Sequence, residues 1–361
     1  MILIGRWLWM ILGGLFILTG CMASPKVTTP GDPLTEVARN PRQWTGIAVA
    51  HDGRIFVNFP RWSDDVPISV AELLPSGEVR AFPNETWNQW NKGEDPRNHF
   101  VCVQSVYIDA SNDLWVLDAG NPKFAGGIPG AAKLVKIDVE SGQITDIFRF
   151  GPPLLVQDSY LNDVRVDTAR QFAYLTDSGR GGLVVVDLRQ ATARLVLEDQ
   201  PSTLAEGITL TIGGRPWLRP DGSVPQVNAD GIALDRDGNY LYYKALSGRN
   251  LYRIATSWLR RTDITKEQLA EQVERLAEPG GSDGLLCGRD GLIYITAVEE
   301  KAIKAFDPVT RKVSVVVKDE RLEWPDSLSQ GPDDFIYVTI SQINLLPHPP
   351  QSYRIYKFSA P

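Results

Sequence analysis

Six polar residues hold the same place in a phrase that this chain repeats: Thr45, Gln104, Asn162, Asp230, Asp283 and Asp326. Each precedes a short apolar run, as in "NADGIALDRDGNYLYY" (228–243) and "SDGLLCGRDGLIYIT" (282–296). Three of the six are carboxylates, and an acid at the mouth of a buried strand needs compensation. If the three meet, their repulsion raises a pKa or recruits a cation. Oxygen donors from Asn and Asp suit a hard ion, and calcium, which accepts irregular oxygen cages, is the expected one, held by Asn162, Asp230 and Asp283. The alternative needs no metal: each acid caps backbone amides of its adjoining strand.

Other chemistries find little support. His51, His99 and His348 fall in turn or loop contexts, and no G-x-S-x-G phrase supplies a nucleophile. Cys102 and Cys287 sit in different repeats, where they read as buried free thiols with no zinc spacing. No glycine loop for phosphate is present, and "GRGGL" (179–183) reads as a hairpin turn. A net charge of -7 offers no basic patch, so no nucleic-acid partner is expected.

The repeat itself must bring the six residues together. From each one, 11 or 12 residues lead to a buried-type aromatic: Phe56, Trp115, Tyr174, Tyr242, Tyr294 and Tyr337. Copies start 59, 58, 68, 53 and 43 residues apart. Asp52-Gly53, Asp237-Gly238 and Asp290-Gly291 supply the turn chemistry of tight hairpins. Further strands follow in "AKLVKID" (132–138), "GLVVVDL" (182–188) and "AIKAFDP" (302–308). Four strands per unit at this spacing predict an all-β fold, a six-bladed β-propeller over residues 34–361. The last unit is one strand short after "SYRIYKF" (352–358), and "LTEVAR" (34–39) is placed to complete it. In such a ring the first strand of every blade lines the central channel, so the six polar residues converge on one mouth.

Three segments stand outside the repeat. "MILIGRWLWMILGGLFILTGC" reads as a lipoprotein signal: residues 1–20 are cleaved, Cys21 is lipidated, and residues 21–33 tether the domain to a membrane of the cell envelope. "TDITKEQLAEQVERLAE" (262–278) predicts a helix, with Thr265 and Gln268 in capping-box spacing and Leu269, Val273 and Leu276 on one stripe. The Gly- and Pro-rich stretch 198–227 predicts a loop that roofs one mouth of the channel.

"VQSVYIDASNDLWVLDAGN", "DGIALDRDGNYLYYKALSGRNLYRI", "SDGLLCGRDGLIYITAVEE" and "LEWPDSLSQGPDDFIYVTIS", in that order, resemble successive blade motifs of the major royal jelly/yellow protein family, from about Trp44 to Ile343. The resemblance implies a secreted or surface propeller whose channel, in some members, binds small amines such as serotonin. Some insect relatives are linked to dopachrome conversion; others have no catalytic role. A more distant similarity runs to calcium-dependent gluconolactonases of the senescence-marker-protein type. By blade order it implies that Asn162 is a substrate-side asparagine beside the ion, that Asp230 replaces a metal-binding asparagine, and that Asp283 binds the metal and serves as base. Thr45 stands where that family has a glutamate, a departure that weakens the metal site unless Asp326 restores the charge.

Two functions follow as expectations. One is a surface-tethered propeller that binds a small amine or aromatic ligand over an acidic mouth, through Thr45, Gln104, Asn162, Asp230 and Asp326, with Trp44 and Trp324 as aromatic contacts. The other is a calcium-dependent lactonase or esterase in which Asp283 activates water; a yellow-like tautomerase is the further enzymatic possibility.

Overall fold

Alternating apolar runs broken at Asp-Gly fold into hairpins because Gly53, Gly238 and Gly291 take φ of 87°, 68° and 84°, values that only glycine adopts without strain. The computed structural model describes residues 32–347 and 349–361. The expected signal segment, the expected lipidation site Cys21, all of the expected tether but its last two residues, and His348 lie outside the described residues.

Six antiparallel sheets of four strands each are formed. Blade 1 holds Ile47–Val49, Ile55–Asn58, Val70–Leu73 and Val79–Ala81. Blade 2 holds Val103–Ile108, Asp113–Asp118, Lys133–Asp138 and Ile144–Arg149. Blade 3 runs Leu161–Asp167, Phe172–Asp177, Leu183–Asp187 and Thr192–Val196. In blade 4 the strands are Ala229–Leu234, Tyr240–Ala245, Leu251–Ala255 and Glu274–Ala277. Blade 5 comprises Ser282–Cys287, Ile293–Ala297, Ala302–Asp307 and Lys312–Lys318. Blade 6 takes Pro325–Gln330, Phe335–Ile340 and Tyr353–Ser359 from the C-terminus and Thr35–Asn40 from the N-terminal side. That strand pairs antiparallel with Tyr353–Ser359, so the ring is closed by hydrogen bonds between the two ends of the propeller.

The innermost strands of the blades touch one another in sequence order, and the last touches the first. Between each adjacent pair of blades lies one apolar cluster, and each cluster contains one of the repeat's aromatics. Phe56 lies between blades 1 and 2, Trp115 between 2 and 3, Tyr174 between 3 and 4. Tyr242 lies between blades 4 and 5, Tyr294 between 5 and 6, and Tyr337 between 6 and 1. The rings thus recur because every blade has to cover its neighbour's face. Several keep a polar tip satisfied by a turn carboxylate of their own hairpin: the Trp115 indole donates to Asp109 at 2.7 Å and the Tyr294 hydroxyl to Asp290 at 2.7 Å.

One element departs from its expected form. Residues 262–278 are not a single helix: a helix covers Lys266–Ala270, and the chain then extends into Glu274–Ala277, the outer strand of blade 4. The capping box of Thr265 and Gln268 is present. Helical periodicity loses beyond it because Leu251–Ala255 needs an outer partner, and Arg253 pairs with Glu274 across that strand boundary at 3.0 Å.

Candidate functional site

Five of the six innermost strands begin with the same irregularity. The pairing register shifts between Val103 and Ser105, Leu161 and Val164, Ala229 and Ile232, Ser282 and Leu285, and Pro325 and Leu328. Gln104, Asn162, Asp230, Asp283 and Asp326 lie inside these bulges, which re-aim a side chain that a regular strand would direct elsewhere. The residue after each must be small or bonded to the next blade. A Cβ on Gly231 would fall 2.3 Å from the Asp283 carbonyl oxygen, and one on Gly284 would fall 2.3 Å from that of Asp326. In blades 2 and 3, Ser105 donates to Asp163 at 2.6 Å instead. Threonines of the second strands hold the bulges, with Thr176 donating to the Asp230 carbonyl at 2.7 Å and Thr296 accepting from the Gly284 amide at 2.9 Å.

The bulged residues meet at the base of a cavity of about 740 Å³. Gln104, Asn162, Asp230, Asp283 and Asp326 line it, with Tyr160 and Trp62 on one wall and Trp324 and Trp217 on the other. Side chains, not backbone amides, partner the three acids. The Asn162 amide donates to Asp230 at 2.7 Å, the Trp324 indole to Asp283 at 2.6 Å, and the Ser327 hydroxyl to Asp326 at 3.1 Å. Capping of strand-entrance amides falls to other acids: Asp118 accepts from Val101 and Cys102, and Asp177 from Tyr160.

A polarised chain of donors runs round the channel into this floor. The Trp62 indole donates to the Tyr160 hydroxyl at 2.7 Å, which donates to Gln104 at 2.9 Å. Gln104 donates weakly to Asn162 at 3.4 Å, and Asn162 to Asp230. Asp230 and Asp283 stand close enough that the Asp283 carboxyl raises Asp230. Burial, then the neighbouring Asp283 charge, push the carboxyls of Asp230 and Asp326 well above the usual range. Burial pushes Asp283 up to about 6, opposed by the bonds from Trp324 and Asp230. The floor is therefore a cluster of carboxyls whose charged forms are disfavoured by burial and by one another.

Two of the residues predicted from sequence do not reach the cavity. Trp44 is fully buried between blades 6 and 1, packed on Phe59 and donating to the Arg354 carbonyl at 3.2 Å. Thr45 is also buried and donates to the Gln104 carbonyl at 3.2 Å while accepting from Asn58. Trp44 belongs to the seam between blades 6 and 1, whereas Thr45, just before the three-residue inner strand of blade 1, ties that strand to blade 2. The stretch 198–227 does roof the mouth: Trp217 meets Trp324 edge-on at 4.7 Å, over a cluster containing Leu210 and Ile212.

Sequence reasoning missed three groups. Tyr160 precedes its strand and carries no repeat signal. Arg165 extends from blade 3 to the Leu285 carbonyl of blade 5 at 2.7 Å, paired with Asp163 at 2.8 Å, and lies outside the cavity lining. Its position two residues after Asp163 was the available signal, since a strand puts both on one face. Lys244 is fully buried, donates to the Ala245 and Gly248 carbonyls at 2.7 and 3.1 Å, and is lowered to about 8 by burial. It stands two residues after the repeat aromatic, where blades 3, 5 and 6 have Thr176, Thr296 and Thr339.

The proposed calcium ligands do not fit that ion in this arrangement. Calcium takes about six to eight oxygens arrayed around a centre, whereas Asn162 turns its amide nitrogen, not its oxygen, to Asp230, and the Trp324 indole takes up an oxygen of Asp283. Among the described residues no group of three or more His, Cys, Asp or Glu side chains is arranged to hold a metal.

Comparison with known proteins locates this architecture. The family model "Major royal jelly protein" matches residues 101–346. Dopaminechrome tautomerase of Drosophila melanogaster is 26% identical over 153 residues, which are 38% of this chain and 32% of that protein. Major royal jelly protein 7 of Apis mellifera is 26% identical over 215 residues, 56% of this chain and 46% of that protein. The chain thus spans about a third to a half of the length of these relatives. Among solved structures, a gluconolactonase of Xanthomonas campestris superposes with a TM-score of 0.56 at 12% identity, covering 91% of this chain and 89% of its own. A luciferin-regenerating enzyme gives 0.55 at 12% identity, covering 91% and 95%. At such identity the two structures share the fold alone. With its model matched over more than half of the sequence, the chain belongs to the major royal jelly protein family.

Proposed function

We propose that this chain binds a small organic cation, an amine on an aromatic or apolar body, at the base of the cavity. One observation carries the reading: three buried carboxyls from blades 4, 5 and 6 converge beneath walls of tryptophan and tyrosine. An ammonium group there forms charge-assisted hydrogen bonds to the floor while the ring faces attract it. Burial and the Asp283 charge raise Asp230 and Asp326, and an arriving cation opposes both effects by favouring the charged carboxylates. The relative named for dopaminechrome supports a small-molecule ligand.

Calorimetry with phenethylamine and with its neutral alcohol counterpart tests this. The amine is expected to bind, and the alcohol to bind about tenfold more weakly or worse, the worth of a hydrogen bond to a charged group. Asp326→Asn, equal in shape but unable to ionise, should cost a similar factor. Equal affinity for amine and alcohol, or an unaffected variant, would remove the basis for an amine site.

A further inference from the structure

The mouth of the cavity presents a feature that the floor does not explain. Six large apolar side chains are well exposed among the described residues, and three of them, Phe124, Leu218 and Leu346, line this one cavity. They come from separate places: the connection between the second and third strands of blade 2, the roof stretch, and the segment leading into the third strand of blade 6. Scattered exposed apolar residues are ordinary, but their concentration at one opening marks a contact surface.

Phe124 is the clearest case. It is 60% exposed yet fixed, with its ring 5.4 Å from that of Trp62 and 4.9 Å from that of Tyr160. Its backbone lies at φ 55°, and Lys123 before it at φ 58°, in the left-handed region that bulky residues avoid. A strained backbone that displays an aromatic ring to water gains little by burial, and such strain collects at ligand clamps. Size points the same way. A cavity of about 740 Å³ lies in the upper part of the range, roughly 300–1,000 Å³, that encloses drug-sized ligands, and a single-ring amine leaves much of it unfilled. Besides the carboxyls of the floor and the charged Arg42, Asp65 and Arg219, the lining is largely aromatic, aliphatic and proline.

We infer that the ligand is a cationic amphiphile: its amine rests on the Asp230, Asp283 and Asp326 floor, and its apolar body runs past the tryptophan walls to the collar of Phe124, Leu218 and Leu346. This deepens the amine reading above and rests on it. The two fail separately.

The test uses the full-length chain and straight-chain primary alkylammonium ions from butyl to decyl, each below its micellar concentration, titrated by calorimetry. Affinity should rise about threefold to fourfold for each added methylene that is buried. Phe124→Ser combined with Leu218→Ser should lower decylammonium affinity more than tenfold and at least fivefold more than it lowers that of butylammonium. Leu346→Ser alone should act in the same direction. Butylammonium binding with no gain along the series overturns the amphiphile while leaving the amine site intact. No binding by any member, together with none by phenethylamine, overturns both. A collar variant that loses binding to phosphatidylcholine vesicles but keeps the chain-length series unchanged also overturns the inference, because the collar then serves a bilayer and not the ligand.

Discussion

At the scale of single residues the site is defined by how three acids tolerate burial. Asp283 is pushed up to about 6 from an ordinary 3.8, and Asp230 and Asp326 move the same way. A carboxyl whose pKa is higher in the fold than in the unfolded chain binds its proton more tightly when folded, so stability falls as pH rises from the unfolded value through the folded one. For Asp283 that window runs from pH 3.8 to about 6. Two units correspond to about 3 kcal/mol at most. Urea unfolding of the wild type and of Asp283→Asn at pH 4.5 and 7.5 checks the sign: the variant should gain on the wild type as pH rises. A gap that stays constant would mean that Asp283 is not strained by burial. Lys244, lowered to about 8 and held by two backbone carbonyls, places one positive charge behind the same floor.

At the scale of elements the bulge at each inner strand performs the positioning. It depends on close approach of neighbouring blades at Gly231 and Gly284, where an added Cβ would meet a carbonyl oxygen at 2.3 Å. Gly231→Ala or Gly284→Ala should therefore cost about 3 kcal/mol, since neither backbone nor carbonyl has room to move. Gly291→Ala makes the contrast: nothing lies within 4 Å, and only its φ of 84° is strained, so the loss should be about 1 kcal/mol. Denaturant midpoints distinguish the two mechanisms, and equal losses at all three positions would contradict the packing account. The short helix at Lys266–Ala270 shows the opposite balance, in which a helical stripe yields to a sheet that needs an outer strand.

For the whole molecule, stability comes from a closed cycle. Six inter-blade clusters pass the packing round the ring, and the pairing of Thr35–Asn40 with Tyr353–Ser359 joins its ends. Trp44, fully buried in the closing cluster, belongs to this seam. At the floor, side-chain donors reach the acids: the Asn162 amide bonds to Asp230 and the Trp324 indole to Asp283. Treatment with a chelator should thus leave the melting temperature within about 1 °C. A resident ion at a hundred times its Kd would contribute about 2.7 kcal/mol, and its removal would lower the temperature by about 4 °C.

The repeat of polar residue and aromatic was enough to specify six blades, the hairpin turns and the closing strand, because those features obey local rules: a period of two in the strands, positive φ at Asp-Gly, and one ring per blade interface. It also named the acids at the floor, since identical places in a ring point to one axis. What the sequence could not contain was the contact between distant segments. Trp44 and Trp324 are equally apolar on paper, yet one is enclosed in the seam between blades 6 and 1 while the other lines the cavity with its indole on Asp283. Tyr160, Arg165 and Phe124 enter the site or its surroundings from outside the repeat or from its loops, and only the closed ring sets their distances. Whether the oxygens of Asn162, Asp230 and Asp283 face a common centre or one another is likewise a matter of side-chain direction at a bulge, which depends on the neighbouring blade and not on the order of residues along the chain.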